Sequence, residues 1–261
     1  MTTVPRTSTV TPSPAPSDRS DSRSPDNPVL LRIGAAALAL GFLIQVPLGI
    51  LHPHHEDPNN SPAAFTEYAH SSDWILVHLG QFIGALLVTL GLIVIATSLA
   101  RQRGLPGAFA VVGALTAVTT TAVFAVQMAV DGIALKAAVD AWISATGGAE
   151  QSAAFGVAEG IRATEKGLSA LFHLNNGLTL VSLGIGIAVA RRPRHYPRWL
   201  GWVGATAGAS LLVLAVLTAQ TGFSRQAASV AQPATILVAI FVAGMSVSLW
   251  RRATRQTESP S

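Results

Sequence analysis

The sequence contains no cysteine and little charge. Of its 261 residues, 11% are charged and 6% are aromatic. The absence of cysteine excludes disulfides, thiolate nucleophiles, thiolate metal sites and iron–sulfur clusters. A soluble globular domain is about one-quarter charged, so this chain has too little charge to cover a surface that faces water. The composition therefore indicates a protein that needs lipid around it.

Recognisable catalytic motifs are also missing. The sequence has no GxSxG elbow and no Walker loop, and His55-Glu56 is followed by Asp57 rather than completing an HExxH zinc motif. There is no arginine-rich voltage-sensing helix and no repeat of discontinuous helices of the kind that many transporters contain. These absences leave enzymatic activity undecided but favour a non-enzymatic role, and we predict no catalytic residues. An intramembrane hydrolase is the least favoured class.

Long hydrophobic blocks dominate the rest of the chain. Half of the residues are hydrophobic and the mean hydropathy is +0.47. A helix needs about 20 residues to cross the roughly 30 Å of hydrocarbon in a bilayer. Backbone groups in lipid must bond internally, so blocks of this length predict helices. We predict an all-α integral membrane bundle over residues 29–250, with about six transmembrane helices at residues 29–51, 74–100, 106–130, 168–190, 199–220 and 230–250.

The distribution of positive charge predicts the orientation. With alternating helices, one side of the membrane carries both termini and 13 of the 17 Lys and Arg residues. Positive loops are retained in the cytoplasm, which predicts a multi-pass protein of a bacterial inner (cell) membrane with both termini cytoplasmic. The basic residues then meet anionic lipid rather than nucleic acid. The lipid bilayer is the partner this predicts, and a protein partner or oligomer is left open.

The segments outside the blocks differ in composition. Residues 1–28 are rich in Ser, Pro and charge, which predicts a disordered cytoplasmic tail, and residues 251–261 form a second cytoplasmic tail. Residues 131–167 are long but helix-like, with a break at Gly147–Gly148 and Lys136 four residues before Asp140. They predict an outer helical hairpin between helices 3 and 4. The loop at residues 52–73, with three prolines and two adjacent asparagines, predicts irregular structure.

Three segments carry a resemblance to other proteins. They are residues 131–142 (DGIALKAAVDAW), 165–168 (EKGL) and 196–202 (YPRWLGW), in a chain with 15 Arg, 2 Lys and abundant Ala and Gly. In these the chain resembles a widespread set of uncharacterised multi-pass membrane proteins of high-GC, actinobacterial-type genomes. The resemblance covers about residues 30–250. It implies a helical bundle and supplies neither an activity nor functional residues.

Polar side chains gather in the outer halves of the predicted helices. Such groups usually face a bundle interior or a wet cavity, and several pairs here lie three or four residues apart, on one helix face. One hypothesis is an outward-facing polar cavity that binds a small or lipidic ligand, or a partner. The alternative is that the groups hydrogen-bond between helices and fix the packing. The candidate lining residues are His78, Gln81, Gln127, Asp131, His173 and Asn176.

Two further hypotheses concern cofactors and transport. His78 and His173, at similar depths on two helices, have the side chains that ligate a b-type haem. We predict no cofactor as the first choice and keep this haem- or metal-binding redox protein as an alternative. A small-solute transporter is the other alternative, and the apolar inner halves of the helices argue against it.

The loop after the first helix offers imidazoles for a metal. Three histidines, His52, His54 and His55, lie within four residues of one another there. The fourth histidine of this loop, His70, follows 15 residues after His55. Imidazole suits zinc or copper. Residues adjacent in sequence rarely converge on one ion, however, and a solvated loop explains the same pattern.

Overall fold

The computed structural model describes residues 27–53, 55–190 and 196–258. Residues 1–26 of the predicted disordered tail lie outside the described residues. Within the described part the chain is helical, without strands, and six helices are long and apolar enough to cross a membrane. The predicted all-α membrane bundle is confirmed. The helices are α1 Pro28–Leu51, α2 Ser61–His70, α3 Trp74–Ala100, α4 Leu105–Ala129, α5 Lys136–Ser144, α6 Gly148–Ala188, α7 Arg198–Thr221 and α8 Arg225–Glu258, with a π-helical turn, Val130–Leu135, between α4 and α5.

Helix starts follow local chemistry. The side chain of Asn27 accepts a hydrogen bond from the amide of Val29 (2.9 Å), and Pro28 follows at the first helical position. An amide side chain at the cap and a proline just inside it are the residues that begin helices most readily. At the hairpin tip, Gly147 and Gly148 have φ values of +106° and +62°, which explains why the chain reverses there.

The six spanning helices form a ring in chain order. Each of α1, α3, α4, α6, α7 and α8 contacts the next, and α8 closes the ring against α1. The outer surface is apolar, with exposed side chains such as Leu76 and Leu115. A continuous apolar surface of this kind faces lipid. The backbones of α6 and α7 are in contact at Gly184, where an added Cβ would collide with the amide nitrogen of Ala205. Such close approach is typical of small-residue contacts in membranes.

The two ends of the ring differ. We call the end that carries the α3–α4 turn, the C-terminus of α6, the N-terminus of α7 and the C-terminus of α8 the arginine end. The opposite end, with α2, the π-helical turn and α5, is the hairpin end. Large buried side chains fill the arginine half of the ring, among them Leu38, Ile95, Leu183, Phe241 and Met245. The ring interior is therefore closed by packing at the arginine end.

The predicted helical hairpin between the third and fourth spanning helices is confirmed, and its location on the outer side stays a prediction. Helix α4 continues through the π-helical turn into α5, and α6 has 41 residues, a length of about 60 Å. This exceeds a bilayer core, so the helices extend beyond it at the hairpin end. The tip falls at the predicted break, and Lys136 Nζ lies 2.5 Å from Asp140 Oδ1.

The prediction of irregular structure at residues 52–73 is wrong for α2. Pro62 lies in the first turn of α2, where its missing amide hydrogen is not needed. Phe65 and Tyr68 are buried in a small second core with Leu135 and Val139. This burial against the hairpin stabilises α2 and cannot be read from the proline count.

Candidate functional site

A cavity of about 800 Å³ lies in the ring, and all six spanning helices line it. Its deeper walls are apolar, with Phe42, Val88, Leu92 and Leu211. Toward the hairpin end the walls become polar; the lining there includes His52, Asp131, Arg162, Glu165 and His173. Pockets that bind small organic ligands have volumes of about 300–1,000 Å³ and a mostly apolar wall with a few placed polar groups.

The structure brings the predicted site residues to this one cavity. Gln81, Gln127, Asp131, His173 and Asn176 line it. His78 is 1% exposed and stands directly behind Asp131, with its Nε2 3.0 Å from Asp131 Oδ2. The six residues therefore converge in space. Their role in binding a ligand stays a prediction.

Hydrogen bonds fix the orientation of the His78 ring. Nδ1 lies 2.7 Å from the carbonyl oxygen of Trp74, one helical turn earlier. A carbonyl can only accept, so Nδ1 carries a hydrogen and donates it. The nitrogen facing Asp131 is consequently Nε2, available to share a proton or to donate its lone pair. The indole of Trp74 in turn donates to the backbone carbonyl of Asp131 (3.1 Å).

The local backbone explains why Asp131 reaches His78. Asp131 lies in the π-helical turn, a distortion that occurs often at functional sites. The next residue, Gly132, sits against the ring: a Cβ there would lie 2.6 Å from His78 Cβ. The absent side chain of Gly132 lets α4 and α3 approach closely enough for the carboxylate to meet the imidazole.

His52 approaches the same pair from the end of α1. Its ring centroid lies 5.1 Å from that of His78. One donor atom each from His52, His78 and Asp131 lies within 4.8 Å of the other two, the one group of this kind that the described residues contain. Burial lowers the pKa of His52 below its ordinary value, and the neighbouring His78 acts in the same direction.

A second polar group borders the cavity at the hairpin end. Arg162 donates from Nη1 to Glu165 (2.5 Å) and from Nη2 to the hydroxyl of Tyr68 (3.0 Å). Its guanidinium lies 4.8 Å from the ring centroid of Phe223. Burial raises the pKa of Tyr68 to about 12. Sequence reasoning missed Arg162 and Glu165 because they lie in the predicted outer hairpin, and their i, i+3 spacing was the one available signal.

Several buried polar atoms at the cavity have no hydrogen-bond partner within the described part of the chain. Buried polar groups are satisfied in the great majority of cases, so each exception calls for an explanation. At the wall of a cavity, a water molecule, an ion or a ligand can supply the partner. The atoms are Gln127 Oε1, Asp131 Oδ1, Arg162 Nε and His173 Nδ1.

The other described histidines between α1 and α3 lie away from the group that contains His52. His55 Nδ1 lies 2.9 Å from Glu67, and His70 Nδ1 donates to the carbonyl of Thr66 (2.7 Å). Both border a smaller surface depression, and His54 lies outside the described residues. The haem pairing of His78 with His173 stays a prediction.

The fold and the cavity define a multi-pass α-helical membrane protein with an internal, amphipathic pocket. Comparison of the chain with protein-family models, with curated proteins and with solved structures gives no match.

Proposed function

We propose that this protein binds an amphipathic, lipid-like molecule in the central cavity. The observation that carries the proposal is the two-part lining: apolar side chains such as Phe42 and Leu92 at depth, and Arg162, Glu165 and Asp131 toward the hairpin end. An acyl chain or comparable apolar group occupies the deep part. The polar headgroup lies at the hairpin end.

The charges at the polar end favour an uncharged or zwitterionic headgroup. Arg162 is paired with Glu165, and Asp131 is paired with His78. A headgroup with a net charge would therefore find no unpaired counter-charge among these side chains. A headgroup with hydroxyl or amine hydrogens satisfies Asp131 Oδ1 and Gln127 Oε1, and an acceptor oxygen satisfies Arg162 Nε.

The tight packing of the arginine half of the ring favours ligand binding over transport of a solute across the membrane. Leu183 and Phe241 belong to a continuous core there, with side chains that are 0% exposed. A small-solute transporter needs a route through this core, which requires it to open. The positive charge on the arginine end supports an inner-membrane protein whose hairpin end is outside.

The proposal is tested by a substitution that fills the cavity with a large side chain. Ala239 on α8 lines it, whereas Val118 on α4 is 56% exposed on the outer surface. We expect the detergent-purified protein to retain tightly held lipid, quantified by extraction and mass spectrometry. Ala239→Trp should lose most of it and Val118→Trp should keep it. Equal retention in all three proteins, or none in the wild type, contradicts the proposal.

A further inference from the structure

His52, His78 and Asp131 form a group of three possible metal ligands, one more side chain than an ion pair needs. Its members come from three elements: the loop after α1, α3 and the π-helical turn. A tetrahedral zinc ion, with bonds of about 2.0–2.2 Å, holds its ligand atoms about 3.3 Å apart. The 3.0 Å between His78 Nε2 and Asp131 Oδ2 is close to that separation, and the donor atom of His52 lies within 4.8 Å of both. A small movement of His52 completes a three-ligand site.

Both histidines are oriented as metal ligands are. His78 Nδ1 donates to the carbonyl of Trp74 (2.7 Å), and His52 Nδ1 donates to the carbonyl of Pro53 (2.9 Å). A metal-bound histidine nearly always donates its other ring N–H in this way, which fixes the tautomer and leaves Nε2 as the ligand atom. The same arrangement in two neighbouring histidines is the second observation that points to an ion.

We infer that His52, His78 and Asp131 bind a divalent first-row transition metal ion, such as zinc, at the hairpin end of the cavity. Two imidazoles and a carboxylate suit zinc or ferrous iron, and the chain has no thiolate to favour a softer metal. Three protein ligands leave a coordination position open. His52 and Asp131 line the cavity and His78 stands behind them, so the open position faces the cavity and takes a water or a ligand oxygen.

The competing explanation is that His78 and Asp131 share a proton and only hold α3 against α4. That pair alone does not explain why His52 brings a third ligand atom within 4.8 Å of both side chains. The three proposed ligands are all protein side chains, so the metal site does not require the lipid-like ligand. Zinc binding can therefore be tested with zinc alone.

The test measures zinc binding to the full chain, purified in detergent with a tag that contains no histidine. The protein is stripped with a chelator, checked for a single elution peak and a helical circular dichroism spectrum, and titrated with zinc chloride by calorimetry. Cobalt(II) serves as an absorbance probe of the ligand set. The variants are His52→Ala, in the half-buried loop, and the isosteric Asp131→Asn. His70→Ala, an exposed histidine at the end of α2, is the matched control.

We expect the wild type and His70→Ala to bind one zinc ion per chain, with cobalt absorption bands typical of four or five ligands. His52→Ala and Asp131→Asn should each weaken zinc binding at least about tenfold. His52→Ala keeps the His78–Asp131 pair, so a loss in that variant does not come from breaking the pair. If the stripped wild type takes up no stoichiometric zinc, or if both site variants bind it as the wild type does, the inference is wrong and the group is a structural hydrogen-bond cluster.

Discussion

Gly132 determines how closely α4 can approach α3 at the polar end of the cavity. The Cβ of His78 lies 2.6 Å from the point where a methyl group on residue 132 would stand. Because a Cβ contact cannot be relieved by rotating a side chain, Gly132→Ala should push α3 and α4 apart and separate Asp131 from His78. Overpacking of this kind costs about 1–3 kcal/mol. We expect a lower melting temperature in detergent, measured by differential scanning fluorimetry.

Gly156 supplies the control for that substitution. It lies within α6, and a Cβ added there meets no atom within 4 Å. Gly156→Ala should leave the melting temperature unchanged or raise it slightly, since alanine is favoured over glycine in a helix by about 0.5–1 kcal/mol. Equal melting temperatures for the two variants would show that the Gly132 contact is not tight.

The buried Arg162–Glu165 pair makes a second prediction at the residue scale. Their side chains are 6% and 4% exposed, so removing one partner strands the other away from water. Arg162→Gln should destabilise the protein by about 3 kcal/mol, seen as a marked loss of thermal stability. Asp140→Asn, which breaks the more exposed pair with Lys136, should change the stability by about 0.5 kcal/mol or less. A small effect of Arg162→Gln would contradict the assigned contacts.

At the scale of elements, Glu67 ties α2 to the loop that precedes it. Its carboxylate accepts from the amides of His55 and Glu56, at 3.0 and 3.1 Å. Burial acts to raise the pKa of Glu67, but these hydrogen bonds and the His55 ring outweigh it and lower the pKa. A lowered pKa stabilises the folded loop above the ordinary carboxyl pKa, and this stability is lost as the pH falls through the folded-state value.

We therefore expect the amides of His55 and Glu56 to be protected from hydrogen exchange at neutral pH and to lose protection on acidification below the ordinary pKa of 4.5. Glu67→Gln should show the loss already at neutral pH. Glu150→Gln at the hairpin tip is the control. Exchange rates are compared after correction for their intrinsic pH dependence, and unchanged protection in Glu67→Gln would exclude the loop contact.

The sequence predicts the elements better than it predicts their contacts. Long apolar blocks and the glycine pair at the hairpin tip leave few choices, so the spans and the tip are predictable. Helix α2 is not predictable in this way, because its apolar face is buried only by the hairpin above it. Hydropathy also does not reveal helix order around a ring. For this reason the sequence places His52 with the loop histidines, and only the structure places it beside His78 and Asp131.

At the scale of the whole molecule, the absence of cysteine makes the orientation easy to test. Any introduced cysteine is the only thiol of the chain. Ala149 at the hairpin tip and Glu258 at the end of α8 are both exposed. With an impermeant maleimide, Ala149→Cys should be labelled in intact spheroplasts and Glu258→Cys only after permeabilisation. The reverse pattern would invert the proposed topology.

The ring arrangement has a consequence for how the molecule is made. Helices α1, α3, α4, α6, α7 and α8 contact one another in chain order, so most packing forms locally as the chain emerges and inserts. The contact between α1 and α8 joins the first and the sixth of these helices, so it forms only after α8 has been synthesised. Until α8 arrives, the polar wall of the cavity lies open to the bilayer on one side. Closing the ring is therefore the step of biogenesis that shields His78, Asp131 and Arg162 from lipid.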